Sequence, residues 1–453
     1  TSGPYTNPDL SEIALFLQDE WRVTPSFTLN LGVRYDKQGI AQPTVKNPDA
    51  QLLAAGIDTS VVPEDTNNVG IRLGFAWTPK GHDGTVVRGG YGMFYGRTPS
   101  IMIGTAMSNN GINVQGVTFT GAQMPVYPNV FPSIPTGVAV PKLTILVFDP
   151  KFENPLVHQA SLGIEHAVSN DFSLGFSYLY VKGTNLQRSA DINVGSPSVV
   201  NFTDAAGNVY PITRYGTDRP FANFGRVIQF QSTAESNYNG VTLELNKRFS
   251  NNWQARFAYT FGKVLDTKPD ATSVVPGVGD DGKQASDPKN FQADYAVGNA
   301  DQTHRIVLSA YWSLPYYRNA GGLEQALFAG WSLSGIITLA SGQPYTAILA
   351  PLTDINNDGN VQNDRAPGFA RNSFNYPTFL SVDPRITKDI PIGPATLQVI
   401  LEAFNVFNRS NVVGLNQGYY AVNGTSLTRL SAFGTPTSSF GPRILQLAAK
   451  VIF

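Results

Sequence analysis

The last thirteen residues, 441–453, constrain the fold more than any other stretch: Leu445, Leu447, Ala449, Val451 and Phe453 alternate with Gln446, Ala448 and Lys450. In an extended strand this period of two puts the first set on one face and the second on the other. The apolar row closes on an aromatic residue with no polar tail after it, a pattern unusual for a strand that meets water. It points to the last strand of an outer-membrane β-barrel, with Phe453 in an interfacial aromatic girdle and with a need for a pairing partner from the other end of the sheet.

The same alternation recurs along the chain. Leu15, Leu17, Trp21 and Val23 oppose Phe16, Gln18, Glu20 and Arg22; after a turn at 24–26, Phe27, Leu29, Leu31, Val33 and Tyr35 oppose Thr28, Asn30, Gly32, Arg34 and Asp36. Five more hairpins follow, 69–77 with 87–95, 160–164 with 172–180, 241–249 with 253–261, 306–314 with 331–339, and a less regular pair, 380–390 with 397–407. With the terminal strand this predicts about thirteen strands, near or somewhat above the roughly 9–11 residues of a tilted membrane strand. Pro384 inside its strand is admissible only at a bulge or an unpaired position. Lys247, Asp19 and His166 fall on the apolar face; Lys247 is near a turn and can reach out of it, whereas Asp19 is a misfit.

Connection lengths segregate. Short turns alternate with long stretches at 37–68, 97–155, 183–236, 267–298, 342–377 and 408–440, the asymmetry expected of outer-membrane barrels. Tyrosine and tryptophan are expected at strand ends near the short turns, where amphipathic rings favour the membrane interface; Trp21, Trp77, Trp253, Trp312, Trp331 and Phe453 form the predicted girdle.

Composition closes off other classes. Charged residues make up 14% of the 453, against roughly 25% in soluble globular chains. No apolar run reaches the about 18 residues of a membrane helix, so any span must be β. Without cysteine there is no disulfide scaffold, thiolate-ligated zinc or thiol catalysis. A net charge of −1 gives no expectation of a nucleic-acid partner. The opening TSGPYTNPDL has neither an initiator Met nor a signal peptide, and an odd strand count leaves the first strand running inward from the outside; both lead us to expect further strands upstream.

Several ordered segments resemble TonB-dependent outer-membrane receptors of the Oar-like type: ALFLQDEWRV at 14–23, LGVRYD at 31–36, RGGYGMFY at 88–95, DQTHR at 301–305, SGQPY at 341–345, EAFNVFN at 402–408 and FGTPTSSFGPR at 433–443. The resemblance implies an all-β antiparallel meander, residues 1–453 forming the C-terminal part of a barrel of roughly twenty-two strands, of which this chain would hold the last thirteen. It also implies partners: outer-membrane lipid, an N-terminal plug and TonB complex acting through a region this sequence lacks, and the barrel-assembly machinery at the C-terminal strand.

Candidate sites carry two readings each. Arg34, Arg72, Arg88, Arg248 and Arg256, with Glu20, Glu165, Glu244 and Glu402, fall on the face predicted to line the lumen. They form either a plug-docking or solute-lining surface, or mutual ion pairs that solvate the wall and are individually weak. In DINNDGNVQND, Asp354, Asn356, Asp358 and Asp364 set oxygen ligands around Gly359 as a calcium loop does, which makes Ca²⁺ the one candidate cofactor. The twelfth position, where an EF-hand loop needs a bidentate carboxylate, holds Arg365, so an Asx-rich surface turn is the alternative. His82, His158, His166 and His304 are scattered and form no catalytic or metal-ligating spacing. The expectation is therefore a transporter part, the wall and outer rim of a solute or macromolecule uptake system, and not an enzyme; an adhesin barrel and a passive porin are the rivals.

Overall fold

Among the described residues thirteen strands of one fifteen-stranded sheet join antiparallel in chain order, each to the one before it, while the short strands Leu143–Phe148 (parallel) and Ala296–Val297 pair onto two of them. The thirteen are β1 (Leu10–Thr24), β2 (Phe27–Ile40), β3 (Val69–Trp77), β4 (Thr85–Tyr95), β5 (Leu156–Ala167), β6 (Phe172–Asp191), β7 (Phe224–Ser250), β8 (Trp253–Asp266), β9 (His304–Ser313), β10 (Trp331–Ala340), β11 (Phe379–Ile392), β12 (Ala395–Phe404) and β13 (Ile444–Ile452). The computed structural model describes residues 6–81, 84–114, 124, 126–129, 142–269 and 281–453. Among the described residues β1 and β13 each pair on one side only.

Register carries the alternation across the sheet. Phe27, Trp77, Val87, Ile164, Phe176, Leu243, Tyr259, Ile306, Leu339 and Leu380 are successive cross-strand partners. Nearer the short turns the row continues through Trp253, Trp312, Leu333, Ile386, Leu401 and Leu447. The opposite face reads Arg88, Gly163, Ser177, Thr242, Thr260 and Arg305. A one-residue slip anywhere would exchange the two faces, and none occurs through these rows. The apolar face stays uncovered: Leu447 is 75% exposed and Leu243 45%. An apolar surface continuous over thirteen strands is far larger than water tolerates on a monomer, and a bilayer is the solvent that fits it.

The band has the height a membrane needs. On β8, Trp253 to Phe261 is nine residues, or eight steps of about 3.4 Å, about 27 Å along the strand and about 20 Å along the membrane normal at a tilt of about 40°. All five tryptophans stand at the short-turn ends of their strands. The tyrosines divide: Tyr311, Tyr316 and Tyr317 join Trp312 at the short-turn end, whereas Tyr91, Tyr178 and Tyr259 lie several residues further along their strands, toward the long connections. A second group of tyrosines thus flanks the band on the side of the long connections, in addition to those that stand with the tryptophans.

The turns explain the short side. Asn251 and Asn252 have φ of 50° and 69°, the doubly left-handed turn whose twist matches a hairpin. The 314–330 connection holds a short helix, Gly322–Phe328, where only a loop was expected. Pro384 partners Gly335 in β10, but the β11–β12 ladder starts only at Arg385, so its missing N–H falls where pairing has already stopped. Phe407, expected in β12, lies beyond it because the strand ends at Phe404 and Asn405 turns with φ 51°. Phe249, expected on the apolar row, sits in a register shift between Lys247 and Ser250.

Burial is inverted. The packed cores lie in the long connections, which fold together into a cap. One core joins Ile40, Val62, Met102, Ile103, Leu146, Phe148 and Phe230; a second joins Leu52, Ile57, Ile145, Phe221 and Val227. A third sits on a five-stranded sheet built from Ile348–Leu349, Gly418–Asn423, Ser426–Arg429, Pro197–Asp204 and Val209–Tyr215, strands drawn from three different connections.

Candidate functional site

Two surfaces can do chemistry or recognition: the polar wall of the sheet and the cap above it. On the wall, alternation brings unlike charges within reach between neighbouring strands. Arg256 meets Glu244 at 3.1 Å and Arg88 meets Glu165 at 4.0 Å. Glu402 pairs with Arg385 at 3.4 Å, and Arg34 grips Asp36 on its own strand at 2.8 Å. Arg34, Arg88, Arg256, Glu165, Glu244 and Glu402 are thus each engaged in an ion pair, Arg34 and Glu402 with partners outside the candidate set. Arg72 instead lies over the Phe94 ring at 4.9 Å. Glu20 pairs with Asn30 in register, and Arg248 flanks the bulge at the β7 turn; neither makes an ion pair among the described residues. Solvent reaches every one of these pairs, so each contributes little to stability.

At the long-loop end of β1 to β4 the wall is concave. Glu12, Arg34, Asp36, Arg72, Arg97 and Asn154 line a cavity of ≈ 390 Å³ there, with Arg97 on Glu12 at 2.7 Å. The size suits a small polar solute or a protruding side chain.

The apolar face explains its own exceptions except one. Lys247 partners Phe172 and Ala255 on that face, but its ammonium donates to the Arg248 carbonyl at 2.7 Å and lies over the Trp253 ring at 4.9 Å. Asp171 stands at 3.8 Å. Lys388, which sequence reasoning did not single out, repeats the device with Trp331 at 5.4 Å and the Ala329 carbonyl. Each cation has left the band for the turn end, where a carbonyl and a tryptophan receive it. Asp19 partners Leu31 on the apolar row, and nothing in the structure explains it. The described histidines are apart: His158 bonds Tyr91 at 2.7 Å, His166 bonds Thr85 at 2.8 Å and His304 bonds Tyr259 at 2.9 Å. His82 lies outside the described residues. Of the girdle set, Phe453 follows Ile452, whose partner Thr396 adjoins the 393–394 turn, so it shares the end where the tryptophans stand.

The cap is held by buried polar groups. Arg371 pairs with Asp266 and donates to the Asp294 carbonyl at 3.0 Å, while Arg365 reaches Asp294 at 3.4 Å. Arg188 donates to Thr267 and covers the Phe291 ring at 4.4 Å; burial lowers its pKa to about 10. Asp191 takes Arg219 at 3.3 Å, and burial outweighs its partners and raises its pKa. The Asn193 amide accepts from Phe221 N–H and donates to the carbonyls of Phe221, Phe224 and Gly225. None of these side chains was legible as functional, because their partners are distant in sequence.

The loop read as a calcium candidate is part of this cap. Asp354 accepts the N–H groups of Asp358 (3.1 Å) and Gly359 (2.9 Å), Asn356 accepts Asp358 N–H at 2.9 Å, and Asp358 accepts Asn360 N–H at 2.8 Å. Asp364 accepts Ile355 N–H at 3.0 Å. Among the described residues no three carboxylate, imidazole or thiol groups gather as a metal cage, because these oxygens are turned onto the loop's own backbone. Burial, followed by repulsion from neighbouring carboxylates, pushes Asp364 up to about 8; burial is also the first cause that pushes Asp358 up to about 6.

Comparison with known proteins agrees with this geometry. The model of a family described as outer membrane beta barrel domain matches residues 2–369. No curated protein sequence matches the chain. A point mutant of the ferric enterobactin receptor PfeA from Pseudomonas aeruginosa superposes with a TM-score of 0.53 at 12% identity, over 98% of this chain and 45% of that one. The outer membrane transporter YddB from Escherichia coli gives 0.52 at 11%, over 98% and 45%. The FrpB iron transporter (F3-3 variant) from Neisseria meningitidis gives 0.51 at 10%, over 100% and 47%. At such identities the likeness concerns the fold, and the chain spans less than half the length of each of these structures.

Proposed function

We propose, from the premise that this chain belongs to the outer membrane beta-barrel domain family, that it is the wall and extracellular rim of a TonB-dependent receptor of the Oar-like type, which takes up a solute or macromolecule. Its place is the outer membrane, where the apolar band meets lipid. The observation that carries the transport reading is the polar wall: charges such as Arg88 with Glu165 and Arg256 with Glu244 keep one face of thirteen strands wet and balanced, as the inside of a filled or solvated barrel requires. On this reading the wall docks a plug from elsewhere in the full-length protein, the cap selects what enters, and the barrel-assembly machinery engages β13 and Phe453.

The packed cap also favours a second reading, a surface-attachment barrel, since its three buried cores make it a preformed binding body. One experiment separates these and the passive porin. The full-length protein in planar bilayers should give no steady conductance and should bind the periplasmic domain of TonB. Open channels at once would establish the porin, and a closed barrel that ignores TonB would establish the adhesin.

A further inference from the structure

The 314–330 connection between β9 and β10 is built unlike its neighbours on the short-turn side. The turns at 25–26, 251–252 and 393–394 only reverse the chain, whereas this one forms a helix, Gly322–Phe328, none of whose residues is buried. It carries two charges, Arg318 and Glu324. Its large side chains stand uncovered: Leu323 is 73% exposed, and Leu327, Phe328, Tyr316 and Tyr317 are each more than half exposed. Water gives such a turn no reason to gather leucine and aromatic rings on its outside.

The contacts show on which side of the sheet the connection lies. Trp331 and Lys388 are cross-strand partners, and Lys388 pairs in turn with Val399 on the apolar row. The Trp331 indole N–H donates to the Leu327 carbonyl at 3.0 Å, and the Lys388 ammonium donates to that of Ala329. Trp312, on the same face as Trp253, meets the Tyr316 ring at 6.4 Å. The Tyr317 and Phe328 rings, 5.2 Å apart, close the connection on itself. Polar groups turn the other way. Arg318 donates at 2.7 Å to the hydroxyl of Ser313, which shares the polar face with Ser309 and Arg256. Gln325 donates to the Arg318 carbonyl at 3.1 Å. Leu323 and Leu327 lie one helical turn apart, each about 160° around the axis from Gln325.

We propose that the 314–330 connection is an interfacial foot: its helix lies in the phospholipid leaflet on the short-turn side, with Leu323, Leu327 and Phe328 among the upper acyl chains. The inference rests on the lipid-facing band and is independent of what the barrel transports. Continuity with that band identifies the occupant, since the connection is fastened to Trp312, Trp331 and Lys388, side chains that already stand where the band meets headgroups. Glu324, in the first turn, holds the helix at headgroup level, about 5–10 Å into the boundary, and no deeper. The foot extends the apolar surface sideways at β9 and β10, where it opposes sliding of those strands along the membrane normal.

The test uses the full-length protein, with any cysteine outside this chain replaced by serine, in phosphatidylcholine nanodiscs that leave both sides open to solutes. Single variants Leu323→Cys and Leu327→Cys, Phe257→Cys in the band, and Ala205→Cys at an exposed turn of the cap are labelled with bimane. Quenching by phosphatidylcholine with a nitroxide high on the acyl chain, or near its end, is compared with quenching by iodide. Residues 323 and 327 should respond severalfold more than residue 205 to the shallow nitroxide and severalfold less to iodide, while residue 257 responds most to the deep one. Iodide quenching at 323 and 327 equal to that at 205, with 257 still quenched by lipid, overturns the foot and leaves the band in place. If 257 also behaves as 205 does, band and foot fall together. Leu323 and Leu327 belong to none of the packed cores, and should one variant fail to assemble, the other carries the same test.

Discussion

Leu245→Arg distinguishes a sheet face that meets lipid from one that meets water. Leu245 partners Leu174 and Phe257 across the strands and is 37% exposed. Phe257 stands midway between Trp253 and Phe261, which places Leu245 near the centre of the band. In water, an arginine at so exposed a leucine changes stability by no more than about 0.5 kcal/mol. At a bilayer midplane the same change on the lipid face of a barrel costs about 2–4 kcal/mol, roughly 30- to 900-fold in the folding equilibrium. Ser177→Arg is the control: Ser177 is exposed on the opposite face, beside Glu165 and Glu244, and should move stability by no more than about 0.5 kcal/mol. Guanidinium unfolding of the full-length protein in short-chain phosphatidylcholine vesicles measures both. Equal effects from the two variants, or a Leu245→Arg effect below about 0.5 kcal/mol, would refute the assignment of faces.

Three further outcomes follow from contacts. Lys247→Met should destabilise the barrel by about 1–3 kcal/mol although it puts an apolar side chain on the apolar face, because the Arg248 carbonyl loses its donor; a stabilised variant in the same unfolding assay contradicts this. Arg371→Met leaves Asp266 buried and unpaired, about 3–5 kcal/mol, so hydrogen exchange should quicken throughout the 267–303 connection while β7 and β9 stay protected. Among the described residues β1 and β13 each have one unpaired edge, at several kcal/mol per unsatisfied group in lipid; the chain expressed by itself should collect in inclusion bodies and fail to gain protease resistance with liposomes, and a resistant inserted form would show that it closes on its own.

The sheet was legible because lipid leaves a period-two pattern intact: Leu445, Leu447, Ala449 and Val451 fall on the register that Leu401, Val399 and Leu397 complete. Lys247 and Pro384 looked anomalous along the chain and became regular once neighbours were known, one by the carbonyls and ring at its turn, the other by a ladder that stops before it. Asp36 and Arg385 could have been found as charge partners, since each lies on the polar face beside a residue already singled out; Arg385 was hidden by the irregular strand around Pro384. The cap was not legible. Pro197–Asp204 pairs with Ser426–Arg429 across most of the sheet's length in sequence, and its strands are too short to show a period against the turns between them. Burial of Asp358, Asn363 and Asp364 likewise depends on Ala285, Ser286 and Tyr215, which no local pattern connects to the loop.

The central claim is that one face of the sheet meets lipid and the other water; this chain contributes no native cysteine, and any elsewhere in the full-length protein is first replaced by serine. Single cysteines placed in the full-length protein at residues 254 to 260 of β8 carry a nitroxide, and collision with oxygen, which partitions into lipid, is compared with collision with a water-soluble nickel chelate. The account predicts a period of two: Ala255, Phe257 and Tyr259 accessible to oxygen and shielded from nickel, Gln254, Ala258 and Thr260 the reverse. Uniform accessibility along the strand, or the two sets exchanged, would contradict it.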